Sequence, residues 1–360
     1  MTLDAGGTHF VFSAIQGNQE IIQPIVQKTE IKSLDLCLKS IFQGFDQVLN
    51  QLPNKPVAIS FAFPGPADYA QGIIGDLPNL ACFKGGVPLG SILEQRFQIP
   101  VFINNDGDLF TYGEAICGFL PKINHRLAES GNPKQYRHLF GVTLGTGFGA
   151  GFVIDKKIYT GENSAAAEIW VMRNHFHPNT FVEEGVSIRA VRRVYAESAK
   201  ISFEDSPMPK DIFEIAKGIQ TGNQEAAIKT FHSLGRVVGH VLADIVAIID
   251  GLIVIGGGLA GAYEFFMPSL ISEMNQPLFT LEGDLKGSSV LHTFNLTDSN
   301  ESETFIHGKV KEIQIPSTEK KLLFNPMKYI GVGLTALGTN RAICIGAYTY
   351  ALQYLDQMAS

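Results

Sequence analysis

Residues 139–155, LFGVTLGTGFGAGFVID, set two apolar runs on either side of Gly145-Thr146-Gly147 and close on the polar turn Asp155-Lys156-Lys157. Short apolar runs bounded by glycine and polar turns read as buried strands, here over 139–144 and 149–154. The same arrangement occurs near the start of the chain. There LDAGGTHFVFSAI (3–15) places Gly6, Gly7 and Thr8 between strand-like runs, and the turn Gln16-Gly17-Asn18 leads to a further strand over 21–27. Behind it, 33–52 carries Leu34, Cys37, Leu38, Ile41, Phe45, Val48 and Leu49 at the spacing of an amphipathic helix. Residues 57–63 and 101–104 then read as buried strands. Hairpin followed by crossover helix implies a mixed sheet with parallel members, and its occurrence twice implies two similarly built α/β lobes with a cleft between them.

The second block turns helical from 185 to 249, with breaks at Pro207, Pro209 and Gly222, followed by a buried strand over 251–255 and a closing helix over 341–354. The polar stretch 280–325 reads as a loop with a hairpin over 308–315. At 360 residues the chain is long enough for two domains. We expect them at 1–117, completed by a helix over 341–360, and at 118–340, with 280–325 as an insertion.

Lys and Arg number 28 against 35 Asp and Glu, a net charge of −7, and no basic run rescues a phosphate-contacting nucleic-acid binder. Charged residues at 18% and hydrophobic ones at 45% exclude global disorder. Cys37, Cys82, Cys117 and Cys344 stand far apart without a CxxC pair, against a cysteine zinc site or a disulfide framework. The chain opens without a basic or apolar leader, and its most apolar stretch, 241–262, is broken by Asp244, Asp250 and glycines. These features predict a cytoplasmic protein with no membrane span.

The glycine turns carry the chemistry. In 3–8, Gly6 and Gly7 let backbone approach an anion, Thr8 offers a hydroxyl, and Asp4 beside a phosphate calls for a bridging divalent cation. An ordinary hairpin turn would use the same residues. Gly145-Thr146-Gly147 repeats that chemistry. Gly256-Gly257-Gly258-Leu259-Ala260-Gly261 follows a strand and fits G-x-G-x-x-G, with Glu282 and Asp284 about 20 residues on; it suits a dinucleotide or simply a helix N-terminus against phosphate. Asn104-Asn105-Asp106 ends a buried strand ahead of a helical run, where α/β folds bind ligands, although Asp108 is an equally good helix cap. Glu168, Glu183 and Glu184 sit in apolar surroundings, so each is paired or functional. His175 and His177 alternate as metal ligands do, but lack a third. Neither a Walker-type P-loop nor a G-x-S-x-G elbow is present.

The order of these motifs resembles the ROK family of repressors, open reading frames and sugar kinases, within the actin/hexokinase/Hsp70 superfamily. LDAGGT looks like its first phosphate loop, FAFPGPAD (61–68) like its Pro-Gly turn, and DLPNLACFKGGVPL (76–89) like its sugar-side segment. INNDGDLFTYGEA (103–115) is similar to the segment with the catalytic Asp, VTLGTGFGAGFVID (142–155) to the second phosphate loop, IVIGGGLA (253–260) to the adenosine segment, and IGAYTYAL (345–352) to the closing helix. The resemblance covers the chain in collinear order except 118–138 and 280–330. It implies two ribonuclease-H-like, actin-like ATPase lobes. It also implies an ATP- and Mg²⁺-dependent kinase of a hexose or N-acetylhexosamine, a likeness shared with glucokinases.

By the same resemblance Asp106 is the general base. Gly6, Gly7, Thr8, Gly145, Thr146, Gly147, Gly257 and Gly258 hold ATP, and Asp4 orders Mg²⁺ through water. Gly65, Asn79, Asn105, Glu168 and Glu183 bind the sugar, and the protein is a homodimer. The chain departs from the family in three places. Val171 stands where a sugar- and zinc-contacting His is usual, the Cys-rich zinc loop is missing, and His9 replaces a common Lys or Asn. We therefore expect no zinc, with His175 or His177 partly replacing the lost His. Glucose, fructose, N-acetylmannosamine and N-acetylglucosamine all stay open as acceptors. ROK regulators add an N-terminal DNA-binding segment, for which Asp4 leaves no room, so no nucleic-acid partner is expected. An inactive sugar sensor and a flavin or nicotinamide enzyme are the rival readings.

Overall fold

In a computed structural model that describes residues 1–5, 9–30, 32–65, 67–75, 81–287 and 291–359, the chain divides into two units. The first comprises 1–118, 151–166 and 337–360, the second 119–150 and 167–336. Segment 151–166, expected with the second lobe, clusters with the first.

In the first unit, β1 (Thr2–Ala5) and β2 (His9–Ser13) pair antiparallel, and β2 pairs likewise with β3 (Ile25–Lys28). Between β2 and β3 a short hairpin turns at Gly17 and Asn18, whose φ angles of 59° and 63° suit a Gly and an Asn. Helix α1 (Leu34–Leu49) starts at Ser33, whose hydroxyl accepts from Leu36 N at 3.3 Å. It turns Cys37, Ile41, Phe45 and Val48 inward. β4 (Ile59–Ala62) lies parallel to β1; after α2 (Leu89–Phe97), β5 (Val101–Asn104) lies parallel to β4, giving the order β3-β2-β1-β4-β5. Phe10, Phe12, Phe45, Phe61, Phe63 and Phe83 are fully buried against this sheet, each stabilising by roughly 1.5–3 kcal/mol.

α3 (Asp106–Ile116) follows β5 directly. In the second unit come α4 (Phe119–Glu129) and β6 (His138–Leu144); β7 (Phe148–Ile154) then crosses from one unit to the other and is followed by β8 (Lys157–Ile158). Helices α5 (Ile188–Ala199), α6 (Pro209–Ala216) and α7 (Gln224–Ile249) precede β9 (Leu252–Gly256) and α8 (Tyr263–Met274). Among the described residues α7 alone has the length and hydropathy to cross a membrane, yet half of that apolar window is buried in the protein.

Two expectations fail between 280 and 334. The stretch 280–325 is not a loop. It contains β10 (His292–Asn295) and α9 (Ser299–His307), whose Phe294, Phe305 and Ile306 are buried, and its second hairpin pairs 311–314 with 321–324. β11 (Tyr329–Leu334) was not read at all, although it runs parallel between β9 and β10 in the sheet β8-β7-β6-β9-β11-β10. Gly331 and Gly333 interrupt its apolar run, and both are required: a Cβ would strike Leu296 at the first and Phe119 at the second. Finally α10 (Thr339–Ala359) returns to the first unit and packs on α3. A Cβ on Gly113 would collide with the Ala342 carbonyl, and one on Gly346 with that of Leu109, so the two helices meet backbone to backbone.

Candidate active site

In the first unit strand register brings three sequence motifs level. Asp4 pairs with Ala62, Ala62 pairs with Asn104, and Phe63 N donates to Asn104 O at 2.9 Å. Because β1, β4 and β5 are parallel, Asp4, the Phe63-Pro64-Gly65 turn and Asn105-Asp106 emerge at one carboxyl edge, where such sheets bind ligands. Asn105 is the N-cap of α3, its Oδ1 accepting from Gly107 N at 2.7 Å, and its Nδ2 donates to the Tyr69 hydroxyl at 3.4 Å. The capping role weighed for Asp108 thus belongs to Asn105; Asp108 is buried within the first turn.

Tyr69 was missed by the sequence reading. Its hydroxyl donates to Phe63 O at 2.9 Å and would lie 3.0 Å from a Cβ on Gly65, so one phenol holds the Pro-Gly turn and the cap of α3 together. The available signal was a tyrosine in the polar hairpin directly after that turn, an aromatic body with a polar tip.

Asp106 opens α3 and its carboxyl accepts from Gly107 N at 2.8 Å. Desolvation by surrounding protein raises its pKa, while the Gly107 N–H pulls the other way. The residue as a whole nevertheless keeps more than a third of its surface exposed. Asp4 is also raised, first by desolvation and then by the charge of Asp106. An acid whose ionisation is disfavoured by burial and by a neighbouring carboxylate is suited to a cation at its side. The support of both acids is stiff. Fully buried Glu114 accepts from Leu337 N at 3.0 Å, and a Cβ on Gly151 would run into the Gly107 carbonyl.

In the second unit β6 and β9 are parallel, with Thr143 opposite Gly256, so the turns at 145–147 and 257–258 leave one sheet edge. Gly145 N donates to Gly147 O at 3.1 Å, and Gly145 O accepts from Ile188 N at 2.8 Å, pinning the turn to the start of α5. Glu183 Oε2 accepts from Phe148 N at 3.0 Å and would stand 2.7 Å from a Cβ on Gly147. Gly257 has φ 90°, and a Cβ there would strike Leu144 backbone. Beside Gly145 and Gly258 a Cβ would meet nothing. Gly147 and Gly257 therefore serve packing, whereas Gly145 and Gly258 leave backbone open to an incoming group. From Gly258 a 3₁₀ turn runs into α8, with Ala260 N donating to Gly257 O at 3.1 Å. Glu282 and Asp284 lie in the exposed hairpin region over 278–287, outside the main sheet, where they cannot act as the acid of a dinucleotide fold.

Other predicted residues divide. Gly6, Gly7, Thr8 and Asn79 fall outside the described residues. Glu168 is exposed and accepts from Trp170 Nε1. Glu184 is held by Arg189 and Arg193 and is structural. His175 stacks on His240 at 4.0 Å, with Glu273 Oε1 at 3.7 Å from His240 Nδ1, and both His175 and His177 are exposed. Among the described residues no cluster of three His, Cys, Asp or Glu is arranged to hold a metal.

Residues 1–286 match the ROK family. A crystal structure described as glucokinase from Parabacteroides distasonis shares 50% identity with this chain at a TM-score of 0.89, covering 98% of this chain and 96% of that one. A ROK glucokinase from Streptomyces griseus, solved with glucose and AMPPNP, shares 18% identity at a TM-score of 0.62 over 96% and 97% of the two chains, a likeness of fold. The xylose repressor of Caldicellulosiruptor bescii is 25% identical over 262 residues, 67% of this chain and 61% of the repressor, so the chain spans about three fifths of that relative's length.

Proposed function

The chain belongs to the ROK family, and from that premise we propose that it transfers the γ-phosphoryl group of ATP to a hydroxyl of a hexose or N-acetylhexosamine, glucose being the first acceptor to test. One observation carries this reading: strand register sets Asp106, at the start of α3, level with Asp4 and the Gly65 turn. Half-identity over nearly the full chain to a protein described as glucokinase supports turnover.

Phosphoryl transfer asks for positioning and charge stabilisation more than covalent chemistry. Asp106 accepts the proton of the attacking hydroxyl. The open backbone at Gly145 and Gly258 faces the phosphates, joined on the family's pattern by Thr146, Gly147, Gly257, Gly6, Gly7 and Thr8. Gly65, the amide of Asn105, Asn79, Glu168 and Glu183 hold sugar hydroxyls. The oxygen of Asn105 is committed to its cap, which leaves Nδ2 as the donor. Mg²⁺ fits the acid pair: it prefers oxygen ligands and usually keeps waters, and Asp4 would hold it through one. When bound, it neutralises phosphate charge.

The second reading is a sugar-binding relative without turnover. Val171 in place of the family's His, together with the likeness to a xylose repressor, supports it. A coupled ADP-release assay over glucose, fructose, N-acetylmannosamine and N-acetylglucosamine separates the two. We expect Mg²⁺-dependent turnover of at least one sugar. Binding without turnover of any would favour the sensor. The same preparation should contain no stoichiometric zinc by elemental analysis.

A further inference from the structure

In the first unit a cavity of about 420 Å³ lies along β5, the last strand of its sheet. Among the described residues, none of those assigned above to ATP, Mg²⁺ or the acceptor lines it. One wall is aromatic. Phe102 lies 6.1 Å from Tyr350 and 5.7 Å from Tyr354, and the two tyrosines stand 4.6 Å apart, all between ring centroids. Asn104 lines the cavity as well, 2% exposed, and among the described residues no group accepts from its Nδ2 in hydrogen-bond geometry. The Tyr350 oxygen senses the Asn104 amide, but the pair lacks hydrogen-bond geometry. A buried donor left in this state costs free energy, so an acceptor arriving in the cavity gains what the protein does not supply.

The lining also selects the class of acceptor. It contains no Lys, Arg or His among the described residues, so a phosphate or carboxylate finds no counter-charge. Its one acid, Glu94, already accepts from Val101 N at 3.2 Å. An ammonium cannot accept from Asn104. Ser91, Thr160 and Gln71 add groups that both donate and accept. A neutral ring with apolar C–H faces and several hydroxyls meets all of these demands. We propose that this cavity is a second saccharide site, in which the sugar lies against Tyr350 and Tyr354 and one of its oxygens accepts from Asn104 Nδ2.

The inference goes beyond the kinase reading and is tested without ATP. Equilibrium dialysis with radiolabelled glucose should reveal two classes of site per chain. Ser91→Trp, which fills the cavity mouth from the exposed face of α2, and Tyr354→Ala, which removes part of the wall, should each weaken one class by roughly tenfold. The other class and the rate of turnover should stay as they are. Adenosine and inorganic phosphate should not compete for the weakened class. Glucose binding that neither variant changes would mean that the cavity holds water only, and displacement of glucose there by adenosine would make it a nucleoside site; either overturns the proposal. If Tyr354→Ala fails to fold by circular dichroism, Ser91→Trp decides. Loss of turnover with every sugar would defeat the kinase reading and leave this result unaffected.

Discussion

The two sheets end in opposite chemistry. At the carboxyl edge of β1, β4 and β5 stand Asp4 and Asp106, both raised in pKa chiefly because the protein around them takes them out of water, Asp4 further by the charge of Asp106. At the carboxyl edge of β6 and β9 stand glycine turns whose backbone lies open at Gly145 and Gly258. The construction is the same in both units: parallel strands cut off level, with a turn into the next element. The scaffold is therefore chemically neutral, and the one to three residues after each strand decide whether the edge accepts protons or donates hydrogen bonds. Support differs to match. The acidic edge rests on a helix clamped through glycines, and the glycine edge is stapled by one carboxylate, Glu183, and one backbone bond from Ile188.

The contrast breaks first at Asp106. Asp106→Asn keeps the shape but cannot take the proton, so kcat should fall by about 10²–10⁴ with ATP affinity unchanged. Asp108→Asn should cost stability alone. A variant at 106 that retains more than a tenth of wild-type kcat removes the proton acceptor from the first unit.

Next comes the pair of glycines that share a turn and differ in role. Gly257→Ala forces a positive φ and a backbone collision, at a cost of about 1–3 kcal/mol and a lower melting temperature. Gly258→Ala should leave stability within about 0.5 kcal/mol, since its Cβ meets nothing, and should weaken ATP binding instead. Equal effects on melting would erase the distinction.

Glu183 sharpens the comparison because it is assigned to sugar yet bonded to the phosphate turn. Glu183→Ala should raise KM for both substrates, and Glu183→Gln, which keeps an acceptor for Phe148 N, should restore the ATP side only. A purely sugar-side defect in the alanine variant would separate Glu183 from the turn.

The smallest effect is on stability against pH. A carboxyl with a pKa raised on folding contributes stability that is complete below its unfolded value and is lost as pH rises through the folded one. Asp4→Asn removes that loss. Its melting temperature should therefore exceed the wild type's at neutral pH, and the difference should shrink toward zero near the ordinary Asp value of about 3.9. A difference that grows in acid would reverse the assigned direction.

Residues 33–52 and 101–104 were legible because their signals are local: apolar period and cap in the first, a short apolar run in the second. β10 and β11 were not, because short polar or glycine-broken strands owe their place to partners far along the chain. The acids and glycines of the candidate site were equally visible, since Asp, Gly and Asn in such turns announce themselves by type. Tyr69 was not, because its role exists only once hairpin, turn and helix cap meet at its hydroxyl.

What this sequence determined by itself is the α/β class, the collinear family motifs and the identity of the acid and glycine turns, since each is written within a dozen neighbouring residues. Which glycine packs and which lies open, which residue caps α3, and which carboxylates feel each other were decided by tertiary structure alone. Those properties arise from strand register and from contacts between segments up to hundreds of residues apart, as where Gly113 meets Ala342, and no local pattern encodes such a meeting.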